Sequence, residues 1–548
     1  MTRVPDQSSH GTSVRARWCL AAMTGGYVAL AVMAGVPNSP LATRLPVGVR
    51  PPGWATHVAD ALHLDGAGRP PLIVASLLVM AGVLAAFVLL LAEARANRVR
   101  LSAVLVAAGV SLAVATAAPV LLSRDVFSYA AYGRVFALHH HDPYVTVLSS
   151  FPRDPFVADT AAQWLPTHSP YGPAFTLVSA GIVRVWSSSP GAVVLAFKVL
   201  AGLGVGVATA CAALAARRIR PERAALAAAI VGLNPVLVVH TVGGAHVDAL
   251  IAAPLAGALA LGVGARPPDG KSAPPAPLRS GAVTILLTLA VLLKSVILPA
   301  LVLWLWWVVR AEPPRRRLRV AMVHLGIVVA ATAASLVPFV AGGRTLTPLA
   351  SLGGLESWAS PAQLVARPVR AVVGWIAAPG DGVVAGRVVL GVFLLAYGVL
   401  LWRLGRRWTS PAASREETMA DALGAALLLL ALALPYLLPW YTAWFAPFLG
   451  LMADGVFMWT GVAAGAVLAL TLIPADPFHG LSTWGVMLGV HYVAAPIMLV
   501  LLVVATRRAV TGAGRSPFAP AGRAGTRPPS PVLDRRAALE RRRPRFPR

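Results

Sequence analysis

The chain has 548 residues, 57% of them hydrophobic and 12% charged, with a mean hydropathy of +0.72. Soluble domains carry about 25% charged residues, so a soluble globular fold is excluded and an all-α polytopic membrane protein is expected. The formal net charge of +26 does not call for nucleic acid, because the arginines fall in short loops between apolar runs and in the C-terminal tail, the distribution that sets membrane topology.

Arg3, Arg15 and Arg17 precede an apolar run at 18–36. The positive-inside rule keeps residues 1–17 cytoplasmic as an N-terminal tail, and the run is about the 20 residues of an uncleaved span. The Pro- and Gly-rich piece 37–70 is then external, 71–92 returns to a turn bearing Arg95, Arg98 and Arg100, and 101–122 leads outward again. This brings the stretch 123–173 to the outer surface as a long polar, aromatic-rich loop. Cys19 and Cys211 both sit inside apolar runs, with no spacing for a disulfide framework or a thiolate metal site.

If 169–186 crossed the membrane fully, Arg217, Arg218, Arg220 and Arg223 would fall outside; 171–186 therefore reads as a half-helix, started by Pro170 and Pro173. Runs 192–216 and 224–240 follow, then the small external motif His240–Leu250, then 248–264 into a Pro-rich cytoplasmic linker. Runs 281–293 and 295–309 form a tight hairpin with Lys294 at its apex. After it come 320–341, an external segment 342–385 of some amphipathic character, and runs 386–402, 421–438, 441–453, 456–473 and 490–506. The expected domain plan is one membrane domain over 18–506, with about 13–14 spans plus external interfacial and half-helices, and a disordered basic cytoplasmic tail over 507–548.

There is no Walker A loop, GxGxxG turn, HExxH or GxSxG. Consecutive helical residues point apart, so His139, His140 and His141 read as a polar turn before Asp142 and not as metal ligands. No cofactor and no resident metal are expected. A Lys at a span centre costs roughly 2.5–3.5 kcal/mol, so Lys294 either snorkels to the interface or binds an anion. No acidic partner is assigned to it, and Lys294→Met is expected to leave the fold intact.

Ser123-Arg124-Asp125-Val126-Phe127-Ser128-Tyr129, then Asp142-Pro143-Tyr144, Ser169-Pro170-Tyr171-Gly172-Pro173, Asn234-Pro235, Gly244-Ala245-His246 and Lys294 together resemble the actinobacterial polyprenol-phosphate-mannose-dependent mannosyltransferases of the GT-C superfold, alpha-1,6 type. The resemblance runs over about residues 101–300; His246-Val247-Asp248 departs from the family, where an Asn follows the His. It implies a GT-C glycosyltransferase fold, a polyprenyl-phosphate-sugar donor, a lipid-anchored glycan acceptor, and a multi-pass plasma-membrane protein with cytoplasmic termini and an external active site.

A sugar on polyprenyl phosphate leaves as a stable phosphate, so one carboxylate that deprotonates the acceptor hydroxyl suffices, where glycosidases need two. The resemblance assigns that base to Asp125, against the plainer reading of a helix cap. Lys294 is the first candidate to hold the leaving phosphate. Arg124, Tyr129, Asp142, His168, Tyr171, His246 and Asp248 are the further substrate-binding candidates, with aromatic-belt or headgroup contacts as the plainer reading for the tyrosines, histidines and arginine. Membrane lipid is an expected partner. A donor carrying arabinose or another pentose, and a flippase of lipid-linked sugar, remain alternative readings.

Overall fold

Within a bilayer an apolar run satisfies its backbone N–H and C=O groups internally only as a helix or a closed barrel, and the chain takes the helical solution. The computed structural model describes residues 11–37, 39–43, 45–46, 49–263, 277–339, 356–408, 419–475 and 481–511. Among these there is no strand, only an isolated bridge between Ala42 and Leu121. The 264–276 linker, the start of the expected external segment at 342–355 and the tail from 512 lie outside the described residues.

The first half contains α1 (Val14–Ala34), α2 (Gly53–Ala61), α3 (Arg69–Arg95), α4 (Leu101–Ala117), α5 (Asp125–Ala137), α6 (Pro155–Asp159), α7 (Pro173–Val185), α8 (Pro190–Ile219), α9 (Ala224–Gly232) and α10 (Asp248–Gly262). Then come α11 (Pro277–Leu293), α12 (Leu298–Ala311), α13 (Pro314–Leu336), α14 (Pro361–Ile376), α15 (Pro379–Trp408), α16 (Met419–Ala433), α17 (Thr442–Leu449), α18 (Gly455–Leu470), α19 (Leu481–Gly489) and α20 (Ala495–Thr511). The starts follow local chemistry: the Ser13 hydroxyl accepts from the Ala16 N–H, and Pro residues occupy the first turns of α3, α7 and α8, where a missing N–H costs nothing.

Seven helical stretches are long and apolar enough to cross a membrane: Val14–Ala34, Arg69–Arg95, Pro190–Ile219, Pro221–Val242, Pro314–Phe339, Pro379–Trp408 and Gly485–Thr511. The other apolar helices of 10–17 residues include α4, α7, α10, α11, α16 and α18. The protein is an all-α polytopic membrane protein, and the 13–14 expected spans divide between helices of spanning length and shorter ones. One expected run changes character. Residues 441–453 hold only α17, eight residues buried on every side, because hydropathy cannot separate a short helix buried in protein from a span buried in lipid.

The core lies around α9, α10 and α16, with α8 packed on α10, α10 on α11 and α5 on α7. At Asn234-Pro235 the missing Pro N–H ends α9; Asn234 closes the break by accepting from Val236 (3.0 Å) and donating to Ile230 (3.2 Å). The chain continues as a π-helical turn, Val236–Val242, that delivers residues 243–248. The piece 37–70 contains α2, whose Trp54 indole donates to the Ala117 carbonyl at 2.8 Å. α14 is the amphipathic part of the segment expected to be external, and α15 begins at Pro379, earlier than its apolar run suggests.

Candidate active site

Asp125 begins α5, with Arg124 in the capping position and no side-chain cap bond, so the cap reading of Asp125 has no geometric support. The segment before it is held by neighbours distant in sequence. Leu121 N–H donates to the Gly243 carbonyl (3.1 Å), Leu122 N–H to the Leu41 carbonyl (2.9 Å), and the buried Lys198 ammonium to the carbonyls of Ala118 and Pro119. A Cβ on Gly243 would lie 2.1 Å from the Val239 carbonyl and 2.7 Å from Leu121. Only glycine lets these two segments meet, and their meeting sets Asp125 beside His246 and Asp248.

Gly172 has the same role on the opposite side: its N–H donates to the Leu293 carbonyl at 3.1 Å, and a Cβ there would lie 2.0 Å from the Leu292 carbonyl. The Ser169–Pro173 turn therefore lies against the end of α11. Lys294 is an extended break (φ −156°, ψ 114°) between α11 and the turn Ser295–Ile297. This agrees with the hairpin apex read from the sequence.

Asp125, Tyr129, Trp164, Pro170, Tyr171, Lys294, Tyr436, Trp440 and Tyr441 line one cleft. The Asp125 side chain is 17% exposed, and its Oδ2 is 3.5 Å from His246 Nδ1. Burial raises its pKa to about 7; Lys294 opposes the rise and Asp248 adds to it. Tyr129 packs edge-on against Tyr171 and Phe175, each at 5.0 Å, and its hydroxyl is 3.2 Å from His246 Nδ1.

Lys294 is paired. Its ammonium donates to both oxygens of the fully buried Asp248 at 3.1 and 3.4 Å, and it lies 4.5 Å from the Tyr441 ring centre and 5.3 Å from that of Trp444. The Trp444 indole also donates to Asp248 at 2.7 Å. This corrects the expectation that Lys294 has no acidic partner, and removes the reason for expecting Lys294→Met to leave the fold intact.

The structure thus brings Asp125, Tyr129, Tyr171, His246, Asp248 and Lys294 to one place, although His246 and Asp248 stand behind the cleft wall. The remaining candidates lie elsewhere. Asp142 accepts from the Tyr144 N–H at 2.8 Å and shapes the turn whose Tyr144 hydroxyl reaches the Tyr171 carbonyl at 3.0 Å. His168 accepts at its carbonyl from Tyr132 (3.2 Å), and Arg124 faces Asp159 at 3.9 Å. The three histidines separate: His139 bonds Asp154 at 2.9 Å while stacking on Phe151, and His141 bonds back to the His139 carbonyl. Arg134 joins the same Asp154 at 2.7 Å, and these partners hold that carboxyl below its ordinary pKa despite burial.

Sequence reasoning missed the second wall, Tyr436, Trp440, Tyr441 and Trp444. Its signal was the aromatic, Pro-bounded break Pro435–Trp444 between two short apolar runs. Two serines clasp that break: Ser360 Oγ donates to the Leu434 carbonyl (2.7 Å), and Ser357 Oγ accepts from Leu437 N–H (2.9 Å).

Residues 24–310 match the family model described as alpha-(1->6)-mannopyranosyltransferase, N-terminal domain. The chain is 27% identical over 399 residues to alpha-(1->6)-mannopyranosyltransferase A of Mycobacterium tuberculosis, covering 67% of this chain and 69% of that one. It is 30% identical over 135 residues to alpha-(1->6)-mannopyranosyltransferase A of Corynebacterium glutamicum (25% and 27% of the two chains), and 31% identical over 148 residues to the B enzyme of the same organism (26% and 24%). No solved structure matches the chain significantly.

Proposed function

The chain belongs to the alpha-(1->6)-mannopyranosyltransferase family and is a multi-pass membrane mannosyltransferase; from that premise we propose that it takes mannose from polyprenyl-phosphate-mannose. The acceptor is a hydroxyl of a lipid-anchored, lipomannan-type glycan, and transfer inverts the anomeric centre at the outer face of the plasma membrane. The observation that carries this reading is the cleft in which Asp125 and Lys294 both open onto one space walled by tyrosines and Trp440.

In the proposed reaction the acceptor O–H gives its proton to Asp125 while its oxygen attacks the anomeric carbon. The bond from that carbon to the phosphate oxygen breaks, its electron pair leaving with the phosphate. A base with a pKa near 7 has the right strength at neutral pH. Lys294 meets the charge that develops on the phosphate, and because Asp248 already pairs with it, the donor phosphate competes with or joins that pair. The rings of Tyr129, Tyr171, Tyr436 and Trp440 suit the apolar face of a sugar. A flippase would need no base to take an acceptor proton.

Purified protein in detergent, given polyprenyl-phosphate-mannose and a lipid-anchored mannan acceptor, is expected to form a new glycosidic bond. Transfer from polyprenyl-phosphate-arabinose, with none from the mannose donor, would assign the cleft to a pentose. For topology, a reporter fused after residue 150 is expected to read external and one after residue 272 cytoplasmic, with both termini cytoplasmic. A cytoplasmic reading at 150 would remove the outer-face assignment.

A further inference from the structure

His246 touches the base without touching the cleft. The turn Gly243-Gly244-Ala245, with Ala245 at φ +57°, throws the chain back so that His246 N–H bonds the Thr241 carbonyl at 2.8 Å. The imidazole is completely buried, stacked on Trp440 at 3.5 Å and 17°, and edge-on to Tyr129. Its two nitrogens have different surroundings. Nδ1 stands 3.2 Å from the Tyr129 hydroxyl and 3.5 Å from Asp125 Oδ2. Nε2 has no hydrogen-bond partner among the described residues and lies against Gly244, where an added Cβ would come within 2.9 Å of it.

We infer that His246 is a positioning residue for Asp125, a neutral imidazole whose Nδ1–H, lying between the Tyr129 hydroxyl that hydrogen-bonds it and the Asp125 carboxylate, steadies Oδ2 and turns Oδ1 toward the acceptor. The inference rests on the reading of Asp125 as the base. Facing lone pairs on Nδ1 and an ionised Oδ2 would repel, so the proton belongs on Nδ1. The other tautomer would bury an N–H at Nε2 with nothing to receive it, and orphaned buried N–H groups are rarer than orphaned acceptors. Burial and the Lys294 charge both hold the ring well below the ordinary histidine pKa, in keeping with neutrality.

In the transfer step His246 neither gains nor loses a proton: the acceptor's proton goes to Oδ1, while Nδ1–H stays between the Tyr129 hydroxyl and Oδ2 as that oxygen becomes carbonyl-like. What the contact supplies is orientation and partial stabilisation of the carboxylate against its burial. The other groups facing that carboxylate, Lys294, Asp248, the Ser123 hydroxyl, the Trp164 indole and the ring of tyrosines, remain in place when His246 is changed.

The test uses full-length protein in detergent with polyprenyl-phosphate-mannose, measuring kcat, KM and the pH profile of wild type, His246→Phe, His246→Asn and Asp125→Asn. Phe keeps a flat ring on Trp440 and removes the donor; Asn places an amide N–H near the position of Nδ1. A hydrogen bond to a charged group corresponds to about one to two pKa units. His246→Phe is therefore expected to move the acidic limb of the profile up by about one unit and lower kcat about fivefold at pH 7 with donor KM unchanged. His246→Asn is expected to recover part of both. An unmoved profile in His246→Phe beside an inactive Asp125→Asn overturns the inference and leaves the base in place, as does a change confined to KM. Activity in Asp125→Asn overturns the reading of the base itself. Should His246→Phe not fold by thermal melt, His246→Asn decides: a profile between those two limits supports the contact, and loss of kcat without a shifted limb counts against it.

Discussion

The two walls of the cleft differ in chemistry and in origin. One wall carries Asp125, Tyr129, Tyr171 and Lys294, with His246 and Asp248 behind it, all from residues inside the 24–310 family match. The other, Leu434–Trp444, lies beyond that match and is aromatic and apolar. Yet the two are coupled atom to atom: Trp444 donates to Asp248, Tyr441 and Trp444 face the Lys294 ammonium, and Trp440 stacks on His246. Ionisable groups in a buried site need their charges paired and their donors used. The lesson is that the reactive wall depends on the aromatic wall to hold its geometry.

The largest expected effect comes from breaking the charge pair. Lys294→Met strands the fully buried Asp248 carboxylate, and removing one partner of a buried pair costs about 3–5 kcal/mol. A thermal melt is expected to fall sharply, and the double variant Lys294→Met with Asp248→Asn to recover most of the loss without recovering donor use. A single variant as stable as wild type would mean that the pair contributes nothing to the fold.

Next is the link between the walls. Trp444→Phe retains a ring near Lys294 but removes the indole N–H bonded to Asp248 at 2.7 Å. A hydrogen bond to a charged group contributes about 1.5–3 kcal/mol, so stability measured by denaturation should drop by that order. Tyr441→Leu is milder: it deletes a cation–π contact at 4.5 Å that contributes about 0.5–2 kcal/mol. It should appear as a severalfold weaker apparent donor affinity with kcat little changed.

Stability is also expected to depend on pH. The folded Asp125 pKa of about 7 lies above the ordinary value of about 4, so the folded state binds the extra proton. The group's favourable contribution is present at low pH and lost as pH rises from about 4 through about 7. Asp125→Asn is therefore expected to melt higher than wild type by on the order of a degree or two at pH 8, with the difference shrinking at pH 5. An equal difference at both pH values would show that the carboxyl ionises without cost.

Much of this was legible beforehand because it is written in local pattern. Apolar runs and the arginines between them give the helical membrane class, and the lone Lys294 between two short runs marks the hairpin break. Asp125 and Ser169–Pro173 were marked by resemblance. Pairings between distant segments have no periodicity to show them: Asp248 meets Lys294 across 46 residues and Trp444 across 196. The aromatic wall escaped notice for another reason. Pro435–Trp444 is itself apolar, so it merged with the runs on either side, and α17 looked like a span although protein surrounds it. Arg124 and Asp142 belong to the motifs that carry the resemblance, and His168 is a polar residue beside a span. The fold uses Asp142 for a turn and Arg124 for a surface contact, roles that composition cannot distinguish from substrate binding.

The central claim is that Asp125 takes the acceptor proton. Asp125→Asn keeps the size of the side chain and, with no cap bond to lose, should keep the fold. Single-turnover transfer from polyprenyl-phosphate-mannose, measured beside a thermal melt and donor binding, tests the claim directly. The account predicts a folded protein that binds donor and transfers about 10²- to 10⁴-fold more slowly. Transfer near the wild-type rate would contradict it.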